Sequence, residues 1–238
     1  RNHFWAPEIH SRNGRYYLTF NCRNMETGFP HSCGIAVAEQ ILGPYTVLTH
    51  DQPLTQGNDL TLFTDDDGRS YVYRSGIYGQ EIDLASCTLI GEPVRCFAPE
   101  EGKWDGIGIE GPYVIKREGA YTLFYSSWTR GYEIGYATAA SPLGPWTKWE
   151  GNPFFGAQDP KACQKNGMAY TGNPDSPLTR VGHNAIFTGP DGRDWLSCHY
   201  QEKGGRESLG FDPIWIEDGQ VRSNGPTCTE QVVEWAES

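Results

Sequence analysis

Four stretches of the chain share one pattern of apolar and polar positions: a short apolar run, a polar turn that ends in glycine, then a run rich in aromatic and β-branched residues. They run from Ala6 to Phe20, Asp59 to Tyr73, Glu110 to Tyr125 and His183 to Tyr200. Their turn glycines, Gly14, Gly68, Gly119 and Gly192, are spaced by 54, 51 and 73 residues. Asn13-Gly14, Asp67-Gly68 and Asp191-Gly192 tolerate the positive φ of tight turns, so each stretch is predicted to form a β-hairpin. The runs Tyr16 to Phe20, Tyr71 to Tyr73, Tyr121 to Tyr125 and Trp195 to Cys198 have the composition of strands. No segment keeps a long 3.6-residue apolar period, so helix should be scarce.

A further element recurs. Gly34 to Ala38 leads to Leu42-Gly43-Pro44-Tyr45, and Ile134 to Ala139 leads to Leu143-Gly144-Pro145-Trp146, an offset of 101 residues between Gly43 and Gly144. Each unit of about 50 residues thus supplies about four strands, the size of a propeller blade. The expectation is an all-β chain of propeller type, one domain over residues 1–238. About four blades are visible, near 1–50, 56–98, 105–150 and 180–222. Residues 152–180, rich in Gly, Pro, Asn and Asp, are expected to be a long loop within the array.

Charge narrows the partners. Lys and Arg number 19 against 30 Asp and Glu, a net charge of −11 over 238 residues. That balance argues against nucleic acid and anionic membrane, which need a basic surface. No apolar run approaches the ~20 residues of a membrane span. Aromatic residues make up 13% of the chain and leave rings to spare for recognising a neutral ligand. Seven cysteines are an odd number without C-x-x-C spacing. Cys22 with Cys33 across a hairpin tip, and Cys87 with Cys96 across a strand pair, are candidate disulfides. Buried free thiols are the equal alternative.

The hairpins open on polar or unusual residues: Trp5 and Glu8, Asp59, Glu110 and His183. In a propeller the innermost strands converge on an axis, and polar groups gathered there are costly to bury unless they act together. Asp59 and Glu110, read as equivalent positions on neighbouring blades, supply the paired carboxyl groups that glycosidic cleavage needs. Each has a bland alternative. Asp59 could simply begin a strand, His183 could be a satisfied core histidine, and Arg206, before Ser208 to Phe211, could be a solvated loop arginine. Gly106 to Gly111 matches G-x-G-x-x-G, but Pro112 follows and no helix begins. Asp65-Asp66-Asp67-Gly68 sits where a hairpin turn is required and lacks the rest of a calcium loop.

Trp5-Ala6-Pro7-Glu8-Ile9, Asp59 before Phe63 to Gly68, Ile109-Glu110-Gly111-Pro112, Gly135 to Ala139 with Ser141 to Trp146, and Gly182-His183-Asn184 together resemble glycoside hydrolase family 43. The resemblance runs in order over nearly the whole chain. It implies a five-bladed β-propeller and inverting hydrolysis of arabinofuranosyl or xylosyl linkages in plant cell-wall polysaccharides or oligosaccharides, outside the cell or in the periplasm. It implies Glu110 as general acid and Asp59 as the second acid that raises the pKa of the general acid and orients it. His183 is implied near the axis, touching substrate or a calcium ion directly or through water. Arg206 is implied as a sugar contact and Trp5 as an apolar wall. The family's general base is an Asp in a first blade upstream of the Trp-Ala-Pro segment, and four hairpins are found here instead of five. Asp51 and Asp159 are the loop acids considered in its place, neither in a matching context. The alternative to an enzyme is a sugar-binding propeller without the base.

Overall fold

A computed structural model describes residues 2–24, 29–233 and 235. The strands collect into four sheets. The first contains β1 (Asn2–Arg12), β2 (Arg15–Asn24), β3 (Phe29–Ala38) and β4 (Thr46–Val47) in that order, with β5 (Thr55–Gln56) also pairing with β3. The second runs β6 (Thr61–Thr64), β7 (Ser70–Arg74), β8 (Tyr78–Asp83), β9 (Thr88–Arg95). The third runs β10 (Glu110–Arg117), β11 (Ala120–Ser127), β12 (Gly131–Ala139), β13 (Thr147–Lys148), with β14 (Phe155–Gln158) on β12. The fourth runs β15 (Leu178–Thr188), β16 (Asp194–Glu202), β17 (Glu207–Glu217), β18 (Gln220–Ser223). Sequential strands are thus neighbours, the up-and-down order of propeller blades.

Residues 152–180 hold more structure than a loop. They contain β14 and one short helix, α1 (Pro160–Lys165), which Asp159 caps by accepting from the Lys161 N–H at 3.0 Å. Proline at the first helical turn and an Asp cap are local signals that six residues of helix can follow without an apolar period.

The chain divides into two compact units. The first comprises residues 1–98, 110–121 and 139–146, the second 99–109, 122–138 and 147–238. In the first, Tyr17, Cys33, Ile35, Leu60, Leu62, Val72 and Ile82 form a core between the first two sheets. The carboxylate of Asp65, the first acid of the Asp-Asp-Asp-Gly turn, is buried and takes the Lys116 ammonium at 2.6 Å and the Tyr121 hydroxyl at 2.5 Å. Burial alone would raise its pKa, but those two partners outweigh burial and hold it below the usual aspartate range. Asp65 therefore serves packing. In the second unit, Phe124, Tyr136, Trp149 and Phe154 form a linked aromatic cluster with ring centroids 5.2–6.2 Å apart.

Neither candidate disulfide forms. Cys22 lies opposite Ser32, and Cys33 opposite Asn21. Opposite residues share a face and successive ones alternate, so the two thiols stand on opposite faces of the first sheet. Cys87 and Cys96 flank the same strand, β9, one at either end, and do not face each other across a pair. All seven cysteines are free.

Candidate active site

One backbone irregularity recurs within or just before the first strand of a sheet. In β1 the pairing jumps from Trp5–Asn21 to Glu8–Thr19, and in β15 from Gly182–His199 to Ala185–Ser197. In the second sheet the Ser75 N–H donates to the Asn58 carbonyl at 2.9 Å, while Thr61 pairs with Tyr73. Each time three steps on one strand oppose two on the other, a β-bulge. The bulged residue is left-handed in these three sheets, Ala6 at φ 45°, Asp59 at 56° and His183 at 54°, and the third sheet has a left-handed residue of the same kind in Gly111 at 57°.

These left-handed positions correct one expectation. Aligned on them and on the bonds their amides make, Asp59 is the counterpart of Gly111, not of Glu110, and Glu110 corresponds to Trp5, Asn58 and Gly182, one residue earlier. Matching the hairpins by their charged residues slips by one position because a bulge adds a residue that hydropathy does not mark.

The bulge of one sheet is tied to a side chain of the sheet before it. The Asp59 N–H donates to Asn21 Oδ1 at 3.3 Å, the Gly111 N–H to Asp59 Oδ2 at 3.1 Å, and the His183 N–H to Ser126 Oγ at 2.9 Å. Ser75 Oγ also donates to Asp59 Oδ2, at 2.9 Å. Asp59 is thus buried, with its carboxylate held against the peptide that follows Glu110. Its charge also reaches Cys33: burial first, and Asp59 next, push that thiol up to about 12, which keeps it protonated at neutral pH. Glu110 itself is half-buried at the first position of β10.

Of the other residues expected in the first unit, Trp5 is 44% exposed and stands opposite Asn21, the residue that holds the Asp59 amide. Its ring stacks on His31 with centroids 6.0 Å apart, and the Arg23 guanidinium lies 5.6 Å from the ring centre. Glu8 is taken up by packing, with its Oε1 at 2.6 Å from both Thr61 Oγ1 and His10 Nε2. Asp51 is exposed and pairs with His50 at 2.9 Å, and Asp159 is spent on the cap of α1.

In the second unit His183 is half-buried and Arg206 is exposed, immediately before β17. Asn184 is 2% exposed, and neither amide atom has a hydrogen-bond partner. His199, opposite Gly182, was not among the candidates. Its ring lies 4.9 Å from that of Tyr132, and burial lowers its pKa, so it is neutral near pH 7. A histidine inside the otherwise apolar and aromatic run Trp195 to Tyr200 was the signal available for it. Asn21 and Ser75, which hold Asp59, carried none, because each is an ordinary polar residue, one within β2 and one just after β7.

A calcium ion takes six to eight oxygen ligands. Among the described residues no three His, Cys, Asp or Glu side chains come together as a cage. His183 offers a nitrogen, so water would have to supply most of the shell of a calcium ion there.

The arrangement sits among known proteins as follows. The family described as glycosyl hydrolases family 43 matches residues 1–236. Xylosidase/arabinosidase 43B of Humicola insolens is 29% identical over 206 residues, 81% of this chain and 35% of that protein. Beta-D-galactofuranosidase xynD of Aspergillus niger is 30% identical over 221 residues, 83% of this chain and 56% of that one. The chain therefore spans about a third to about half of the length of these relatives. The crystal structure of a thermostable family-43 glycoside hydrolase superposes with a TM-score of 0.79 at 30% identity, covering 99% of this chain and 78% of that one. All-β, of propeller type, and matched from end to end, the chain belongs to family 43 of the glycosyl hydrolases.

Proposed function

We propose that the protein is an inverting glycoside hydrolase acting outside the cytoplasm on arabinofuranosyl or xylosyl linkages of plant cell-wall polysaccharides or their oligosaccharides. Glu110 is the general acid that protonates the leaving oxygen. Asp59 is the second acid, Trp5 an apolar wall beside the sugar, and His183 and Arg206 contacts to substrate. The observation that carries this reading is the 3.1 Å hydrogen bond from the Gly111 N–H to Asp59 Oδ2, which joins a second carboxylate to the peptide of the acid. Hydrolysis of nitrophenyl arabinofuranoside and xyloside, with Glu110→Gln as control, is the test. Turnover that survives this substitution removes Glu110 from the mechanism.

Inversion also needs a base across the sugar, with its carboxyl group ~6.5–9.5 Å from that of the acid. Asp51 and Asp159 are engaged elsewhere, as a surface pair and a helix cap. That supports a second reading of the chain as it stands: a module that binds the same saccharides without cleaving them. Affinity for arabino- or xylo-oligosaccharides with no product formed separates the two. Calcium beside His183, held largely through water, belongs to the proposal on the strength of the resemblance. A thermal midpoint unmoved by calcium after chelation would remove it.

A further inference from the structure

The end of the first sheet carries side chains that the reaction above does not use. The loop bearing Asp59 hangs there: the Gly57 N–H donates to the His31 carbonyl at 3.2 Å, Cys33 Sγ to the Gly57 carbonyl at 3.2 Å, and the Asp59 N–H to Asn21. Two residues beyond Asn21 along β2, on the same face by strand alternation, stands Arg23. Its Nη2 donates to His31 Nε2 at 3.4 Å, a long bond. Its Nε is out of solvent with no partner. Among the described residues no carboxylate pairs with Arg23. Arg69, Arg130 and Arg193, by contrast, each hold a carboxylate at 2.7–2.9 Å.

A partly desolvated guanidinium without a counter-ion is costly, and more so one with a buried, unsatisfied N–H. In a chain of net charge −11 a counter-ion is easily supplied, yet none stands beside Arg23 among the described residues. The planar fork of arginine matches a carboxylate bidentately. Acidic residues farther than about 8 Å away are screened at physiological salt, so the local cation governs what docks beside it. Trp5 borders the group with exposed apolar surface.

We propose that Arg23, flanked by Trp5 and His31, is a subsite for a sugar that carries a carboxylate, a uronic acid borne on the polysaccharide next to the residue bound at Asp59 and Glu110. The inference rests on the saccharide-binding reading above and names a substrate class for it. The test is calorimetric titration of the protein with xylo-oligosaccharides of equal length, with and without one glucuronic acid branch.

The acidic ligand binds about tenfold tighter to the unaltered protein, as one charge-assisted contact predicts. Arg23→Ala binds both ligands alike, at the affinity of the neutral one, and Arg23→Lys keeps part of the preference. The preference also shrinks in 1 M salt. Equal affinity of the unaltered protein for the two ligands, or a preference that survives Arg23→Ala, overturns the subsite alone. Binding of neither ligand overturns the saccharide reading with it. Unchanged affinity for the neutral ligand shows that the variants are folded, and Arg23→Lys, which keeps the stem and the charge, carries the test if the alanine variant does not fold.

Discussion

The hairpin β6–β7 of the first unit and the hairpin β15–β16 of the second are built alike at both ends. Each turn is an Asp-Gly-Arg, in which the arginine N–H and Nε bond the two aspartate oxygens: 2.9 and 2.7 Å for Arg69 on Asp67, 3.1 and 2.7 Å for Arg193 on Asp191. Each first strand has a bulge, just before β6 and within β15, with a left-handed residue whose amide is tied to the preceding sheet. They differ in what the bulge displays, Asp59 in one and His183 in the other. They differ also in what the adjoining space holds. A side chain at Gly182 would run into the Tyr132 ring, whereas the same position of β10 carries Glu110. The shared parts are what any such sheet needs to turn and to aim its first strand. Chemistry was written only into positions that the backbone left free to vary.

The largest test of that contrast is at the position before the bulge. Glu110→Gln should lower turnover of an aryl arabinofuranoside or xyloside by about 10²–10⁴-fold, the usual worth of a general acid, as steady-state assays would show. At the matching position of the other hairpin, Gly182→Ala should cost about 1–3 kcal/mol of stability by overpacking against Tyr132, read from the urea midpoint. Free tolerance of alanine there would mean that the two positions are not constrained differently.

The bulge itself can be probed where no chemistry is invested. Ala6, at φ 45°, sits in a region that costs a non-glycine residue about 1 kcal/mol, so Ala6→Gly should raise stability by about that amount. A fall instead would show that the Ala6 methyl group packs usefully.

The smallest effect separates the two turns. Asp191 also accepts from Trp195 Nε1 at 3.0 Å, and that bond, ahead of those from Arg193, holds its pKa near about 2. Asp67, which lacks such a bond, is lowered by Arg69. A folded pKa below the unfolded value contributes stability that is present above the unfolded pKa and lost as pH falls through the folded one. Both contributions should therefore fade below about pH 3.8, and that of Asp191 should persist to lower pH. Urea midpoints between pH 5 and pH 2.5 for Asp191→Asn and Asp67→Asn check this, with the larger loss of acid dependence expected in the first.

The hairpins were legible because Asn-Gly and Asp-Gly between apolar runs specify a turn locally, and the family resemblance rested on motifs beside those turns. Asp59, Glu110 and His183 stood out as polar residues where an inner strand should begin. Arg206 did not separate from an ordinary loop arginine, and it is exposed. The one-residue offset between Asp59 and Glu110 was hidden because a bulge depends on how two strands pair. Asn21, Ser75 and Arg23 were hidden for a related reason: Asn21 and Ser75 acquire their role from Asp59, 38 and 16 residues away, and Arg23 from the lack of a carboxylate partner among the described residues. The pairing of Cys22 with Cys33 failed on alternation, which places residues close in sequence register on opposite faces.

Sequence alone determined the all-β class, the period of the sheets and the residues able to do acid chemistry, because turn propensity, strand composition and side-chain type are local properties. Only the tertiary structure decided which carboxylate meets which amide, which thiols and acids are spent on packing, and which cation has no carboxylate beside it among the described residues. Those outcomes depend on distances between segments far apart in the chain, and on burial, which no single stretch of sequence carries.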